Sequence, residues 1–82
     1  MPSLNPRYET KWEKARRMFN AKMKDFGGNG SKAIEFFSGE ALRYQSLAKE
    51  HPASVAGHRA RYAHNAATYG INLAFGTDLA KS

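Results

Sequence analysis

Two short breaks cut this chain into three stretches whose apolar residues recur at helical spacing, and that pattern constrains the fold most. The first break is Gly27-Gly28-Asn29-Gly30, where three glycines in four residues favour turn geometry over helix. The second is His51-Pro52, since proline disfavours helical backbone in the residue before it. Ahead of the first break, Tyr8, Trp12, Ala15, Phe19, Met23 and Phe26 advance by three or four residues at a time. Such a series forms one apolar stripe along an α-helix.

Between the breaks, Ile34, Phe37, Ala41, Tyr44 and Ala48 make a second stripe, widened by Ala33, Phe36 and Leu47. An arc of that breadth predicts a middle helix that touches two neighbours. After Pro52, Val55, Arg59, Tyr62, Ala66, Tyr69 and Leu73 alternate steps of four and three. Beside them runs a small-residue row: Ala56, Ala60, Ala63, Ala67, Gly70 and Ala74. Small side chains let helix axes approach closely, so this row predicts a tight helix contact, within the monomer or between copies.

The boundaries follow from capping chemistry. Asn5-Pro6 combines an N-cap acceptor with a proline suited to the first helical position, which predicts a helix near residues 6–26. Ser31 is the expected cap of a helix near 31–50, with Ser38-Gly39 as its weak point, because an interior glycine costs about 1 kcal/mol relative to alanine. The third helix is expected to start at Pro52 or under a Ser54 cap and to span about 53–75, with Gly76 preferred to Gly70 as its stop. The expected fold is an all-α, small three-helix bundle with short Gly-rich and Pro-containing connections, one domain over residues 1–82. Its expected core is Trp12, Ala15, Phe19, Met23, Ile34, Phe37, Ala41, Tyr44, Val55, Tyr62, Ala66 and Tyr69. Tyr8 and Phe36, near the ends or edges of their stripes, should be partly exposed. Arg59 interrupts its apolar stripe and should reach the rim or pair with Glu40 or Glu50.

Chemistry is sparser. With no cysteine, the chain has no thiol nucleophile and no Cys-based metal site. The serines stand in no recognisable nucleophile turn, and the glycine-rich break lacks the lysine of a phosphate-cradling loop. His58 and His64 are six apart, about 240° around a helix, so they do not share a metal-ligand face. These features predict a non-catalytic chain without metal or cofactor. No apolar run approaches the roughly 20 residues that span a bilayer, and the charged N-terminal stretch has no signal-peptide core. A cytoplasmic protein is expected.

Charge is the informative quantity. Thirteen Lys and Arg against seven Asp and Glu leave a net charge of +6. Residues 1–26 hold seven of the basic and three of the acidic residues. Arg7, Lys11, Lys14 and Arg17 follow one another along the first helix, away from the Trp12 stripe, with Lys24 further on. Such a row can meet phosphates, an acidic protein or an anionic membrane. On the third helix His58, Arg61, Asn65, Thr68 and Asn72 line one polar face, and Arg and Asn can read base edges. The turn at His51-Pro52 adds a helix–turn–helix outline. The expected function is a small basic binding module for an acidic partner, nucleic acid slightly ahead. The alternative is a protein–protein adaptor or inhibitor on an acidic host protein surface, with size and lack of cysteine compatible with a phage-type accessory protein. Self-association through the small-residue face and a membrane-surface role for the Trp12–Phe19 face complete the expectations.

Overall fold

The computed structural model describes residues 9–76, and the expectations that rest on Asn5-Pro6, Arg7 and Tyr8 lie outside them. Three α-helices pack against one another: α1 over Lys11–Asp25, α2 over Gly30–Glu50 and α3 over Ala56–Phe75. The described chain is an all-α three-helix bundle, as its periodicity predicts.

Helix starts differ from the expected ones for identifiable reasons. Residues 9 and 10 are not helical, so α1 begins well after Pro6. Its cap is Thr10, whose hydroxyl accepts from the Glu13 amide at 3.1 Å while the Glu13 carboxylate accepts from the Thr10 amide at 2.9 Å. This reciprocal capping box satisfies two otherwise orphaned amides, and the Thr-x-x-Glu spacing is plain in the sequence. Asn29, not Ser31, caps α2 by accepting from the Lys32 amide at 3.0 Å. Gly27 and Gly28 precede it at φ +64° and +87°, a backbone region costly for other residues. Ser54 shapes the α2–α3 turn: its hydroxyl donates to the His51 carbonyl at 2.7 Å and accepts from the Ala56 amide at 3.2 Å. The helix proper then starts at Ala56, later than the expected 53. It runs through Gly70 to Phe75 and stops at left-handed Gly76.

The centre of the bundle is α3, not the expected α2. Most interhelical contact is made by α3, with α2 first and α1 second, while α1 and α2 share much less. Lys14 meets Tyr62 and Phe19 meets Tyr69, so α1 and α3 run the same way. A methyl placed on Gly57 would lie 4.0 Å from Ala48, and one on Gly70 would lie 2.8 Å from Ile34. Contact at both ends makes α2 and α3 an antiparallel pair along their length. The helix–turn–helix outline, whose helices cross at about 90–120°, is therefore corrected to a lengthwise hairpin.

Small residues line the centre of that hairpin. Ala56, Ala60, Ala63, Ala66, Ala67 and Gly70 are all buried. Of the large residues expected in the core along this segment, Tyr69 is buried, whereas two others are not. Val55 is 60% exposed and Tyr62 38% exposed. Phe19 is the large side chain at the heart of the core, 1% exposed, against Tyr69 at 5.8 Å and Phe37 at 6.4 Å between ring centroids. Phe37 meets Phe36, and Phe36 meets Phe26, so a train of rings threads all three helices. Trp12, Met23, Ile34 and Ala41 are half-buried against this cluster, and so is Phe36, as expected. Tyr44 is half-buried further along α2. Burial of Phe19 also leaves the membrane-surface reading without the apolar face it requires.

Gly70 is where the three helices converge. A Cβ there would sit 2.3 Å from Phe19 Cε1 and 2.8 Å from Ile34 Cγ1. Overpacking costs about 1–3 kcal/mol, and an approach this close belongs at the upper end. The gain from glycine to alanine in a helix is roughly 1 kcal/mol, so Gly70→Ala should destabilise the chain by about 1–2 kcal/mol. Gly39, mid-α2, has nothing within 4 Å of where its Cβ would go. Gly39→Ala should therefore stabilise by about 0.5–1 kcal/mol. Urea unfolding of the two variants checks both signs; equal shifts would contradict this packing.

Candidate binding surface

The basic row of α1 is largely engaged within the chain. Arg17 makes a bidentate pair with Glu9, Nε to Oε2 at 2.8 Å and Nη2 to Oε1 at 2.9 Å. Hydrogen bonding from Arg17, reinforced by its charge and that of Lys14, holds the Glu9 carboxyl below its ordinary value. The same bond raises the Arg17 guanidinium. Lys14 does not face away from the bundle as expected. Its ammonium lies 3.6 Å from the centroid of the Tyr62 ring on α3, a cation–π contact across two helices. Lys11 leans over its neighbour Trp12 at 5.3 Å. Lys22 pairs with Asp25 at 3.3 Å and covers Phe36 at 4.4 Å. Lys24 is exposed in the last turn of α1, where a cation complements the helix dipole.

Two tyrosines organise further cations. Tyr62 carries Lys14 and, at 6.5 Å with 25° between planes, the His58 ring. Tyr44 has the Arg43 guanidinium at 4.9 Å and that of Arg59 at 5.9 Å. Arg59 thus reaches the rim over an aromatic ring, while Glu40 pairs with Arg43. Sequence reasoning placed Tyr44 and Tyr62 in the core and missed these clusters. The signal was present in Arg59, a long cation on a flank that α1 and α2 leave open.

The polar stripe of α3 is brought together, though not all of it is open to a partner. His58 and Arg61 are exposed, Asn65 and Thr68 half-buried. Thr68 donates its hydroxyl proton to the His64 carbonyl at 2.8 Å, and the Asn72 amide donates to the Thr68 carbonyl at 2.8 Å. Between this stripe and α2 lies an open trough of about 690 Å³. Its floor is small and apolar, with Ala41, Ala48, Gly57, Ala60 and Ala67; Leu42 and Ile71 stand over it, and Arg61 and His64 are its charged or titratable lining. From residue 51 to residue 77 the chain carries no Asp or Glu. Most of the small-residue row is buried against α1 and α2, and Ala60 and Ala67 are the members that also line this trough.

Among the described residues no His, Asp and Glu side chains gather in a group of three that could hold a metal ion. None of the helices among those residues is long and apolar enough to cross a membrane. Nor is any charged or polar side chain among them buried, so the cations of this surface act in solvent and are screened by salt. Compared with models of known protein families, with curated proteins and with solved structures, the chain matches none.

The Glu9–Arg17 pair gives a pH test. A carboxyl held below its unfolded value contributes stability above that value and loses it as pH falls through the folded pKa. A carbon-detected titration should place Glu9 below 4.5, its ordinary value, and Arg17→Gln should return it toward that value. An unchanged midpoint in the variant would show that Arg17 does not hold the carboxylate.

Proposed function

We propose that this chain is a non-catalytic basic binding module, an adaptor or inhibitor that docks on an acidic protein surface. The observation that carries the reading is an apolar trough lined by Arg61 and His64 and by no carboxylate, set against a run from residue 51 to 77 that holds no acid. Protein partners exploit that combination, since apolar anchors supply affinity and cations set orientation and on-rate. Two of the cations expected to meet phosphates are already held. Arg17 is on Glu9 and Lys14 on Tyr62. The lengthwise α2–α3 pairing is a hairpin and lacks the steep crossing of a helix–turn–helix.

Nucleic acid is the second reading, favoured by the cation-bearing rings of Tyr44 and Tyr62. Aromatic faces among cations serve as stacking platforms for single strands. Here a base would have to displace a cation that already covers the ring.

Titration of the full chain with mixed-sequence duplex DNA, single-stranded DNA and RNA separates the readings. At about 0.15 M salt, where the Debye length is about 8 Å, each should bind no tighter than about 10⁻⁴ M, the weak end of non-specific affinity. Micromolar affinity with a steep salt slope, lost in the Arg43→Glu, Arg59→Glu double variant, would overturn the protein-partner reading.

A further inference from the structure

The trough between α2 and α3 has the form of a missing helix position. On one face of the hairpin α1 is seated through Phe19; the trough lies between the same two helices on the side lined by Leu42, Gln45, Arg61 and His64. From Gly57 to Ile71 it follows fifteen residues of α3, about 21 Å from first to last at helical rise, or roughly four turns.

We infer that this trough receives an acidic amphipathic helix of the partner protein, an inference that rests on the acidic-protein reading above. A helix is favoured over an extended strand because the floor of alanines and glycine offers few hydrogen-bonding groups. The Thr68 hydroxyl proton is already committed to the His64 carbonyl. A strand laid there would leave backbone amides and carbonyls unpaired, whereas a helix satisfies its own. The small floor also admits a helix axis at the close distances of packed bundles. Leu42, 68% exposed, and Ile71, 42% exposed, are apolar surface that such a helix would cover.

Charge selects the kind of helix. The lining contains Arg61 and His64 and no carboxylate. A helix with apolar residues at i, i+4, i+7 and i+11 would fill the trough. Carboxylates flanking that stripe would lie beside Arg61. A second copy of the chain is the poorer occupant. A two-fold contact sets the same patch against itself, so two linings that each hold Arg61 and no carboxylate would meet between chains that each carry +6.

The test uses a capped peptide of about eighteen residues with leucine at those four positions and glutamate on its flanks. A control carries lysine for glutamate. Each is titrated into the uniformly ¹⁵N-labelled full chain, and amide shifts are followed. The acidic peptide should move amides of Leu42, Gln45, Arg61 and His64 and bind about tenfold or more tighter than its lysine counterpart. Leu42→Glu and Arg61→Glu, both at exposed positions, should each weaken it by about tenfold with an unchanged unfolding midpoint. Shifts confined to Lys11 and Lys24 on α1 would overturn the trough assignment and leave the acidic-partner reading standing. Equal binding of the two peptides, or none up to about 1 mM, would overturn the trough assignment. Absence of acidic-peptide binding joined to micromolar binding of DNA or RNA would overturn both.

Discussion

The absence of a side chain at Gly70 is the constraint on which the rest of this structure depends. Phe19 of α1 and Ile34 of α2 both occupy space that a Cβ at that position would take. With Phe19 seated there, its ring reaches Tyr69 and Phe37, and the ring train continues through Phe36 to Phe26. One helix is thereby locked to two others through a single bulky residue. The alanines that precede Gly70 on α3 extend the same close approach along α2. Tyr69 stays inside with Phe19, while Tyr62 and Val55 face solvent on the flanks and Lys14 crosses to the Tyr62 ring.

Close packing at the centre also shapes the outer surface. Two helices joined through alanine and glycine leave a shallow, small-walled trough on the side that α1 does not cover. The chain carries its acids elsewhere. Glu9, Asp25 and Glu40 are each tied to a neighbouring cation, and none belongs to α3. Net charge alone would thus mislead, because much of the α1 basic row is neutralised locally or folded onto rings. Exposed charges are screened within about 8 Å at physiological salt. Shape must therefore supply most of the selectivity of this surface, and charge its orientation.

Helix number, the two breaks of pattern and the stop at Gly76 were legible in the sequence because each rests on local chemistry. The identity of the central helix was not. Breadth of apolar arc pointed to α2, whereas close packing is set by side-chain smallness, which a hydrophobicity pattern undervalues. The same undervaluation assigned Val55 and Tyr62 to the core, although the small-residue row from Ala56 to Gly70 was legible as a tight helix contact and is buried. Thr10 and Glu13 show a different failure: the capping box was readable, but Asn5-Pro6 offered an earlier start. At the surface, the α3 stripe of His58, Arg61, Asn65 and Thr68 was legible as a face, while Lys14 was not, since its partner lies on another helix. The trough requires knowing which side of the hairpin α1 covers, and no local pattern carries that.

Clamped around Gly70, α3 should be the rigid wall on which the open surface is presented. Native-state amide hydrogen exchange tests it directly, because slow exchange reports the last segment to open. The slowest amides should cluster in α3 between Ala63 and Gly70, with the partnering turns of α1 at Phe19 and α2 at Phe37 next. Slowest exchange in α2 or α1, with the Ala63–Gly70 segment opening as readily as the helix ends, would contradict it.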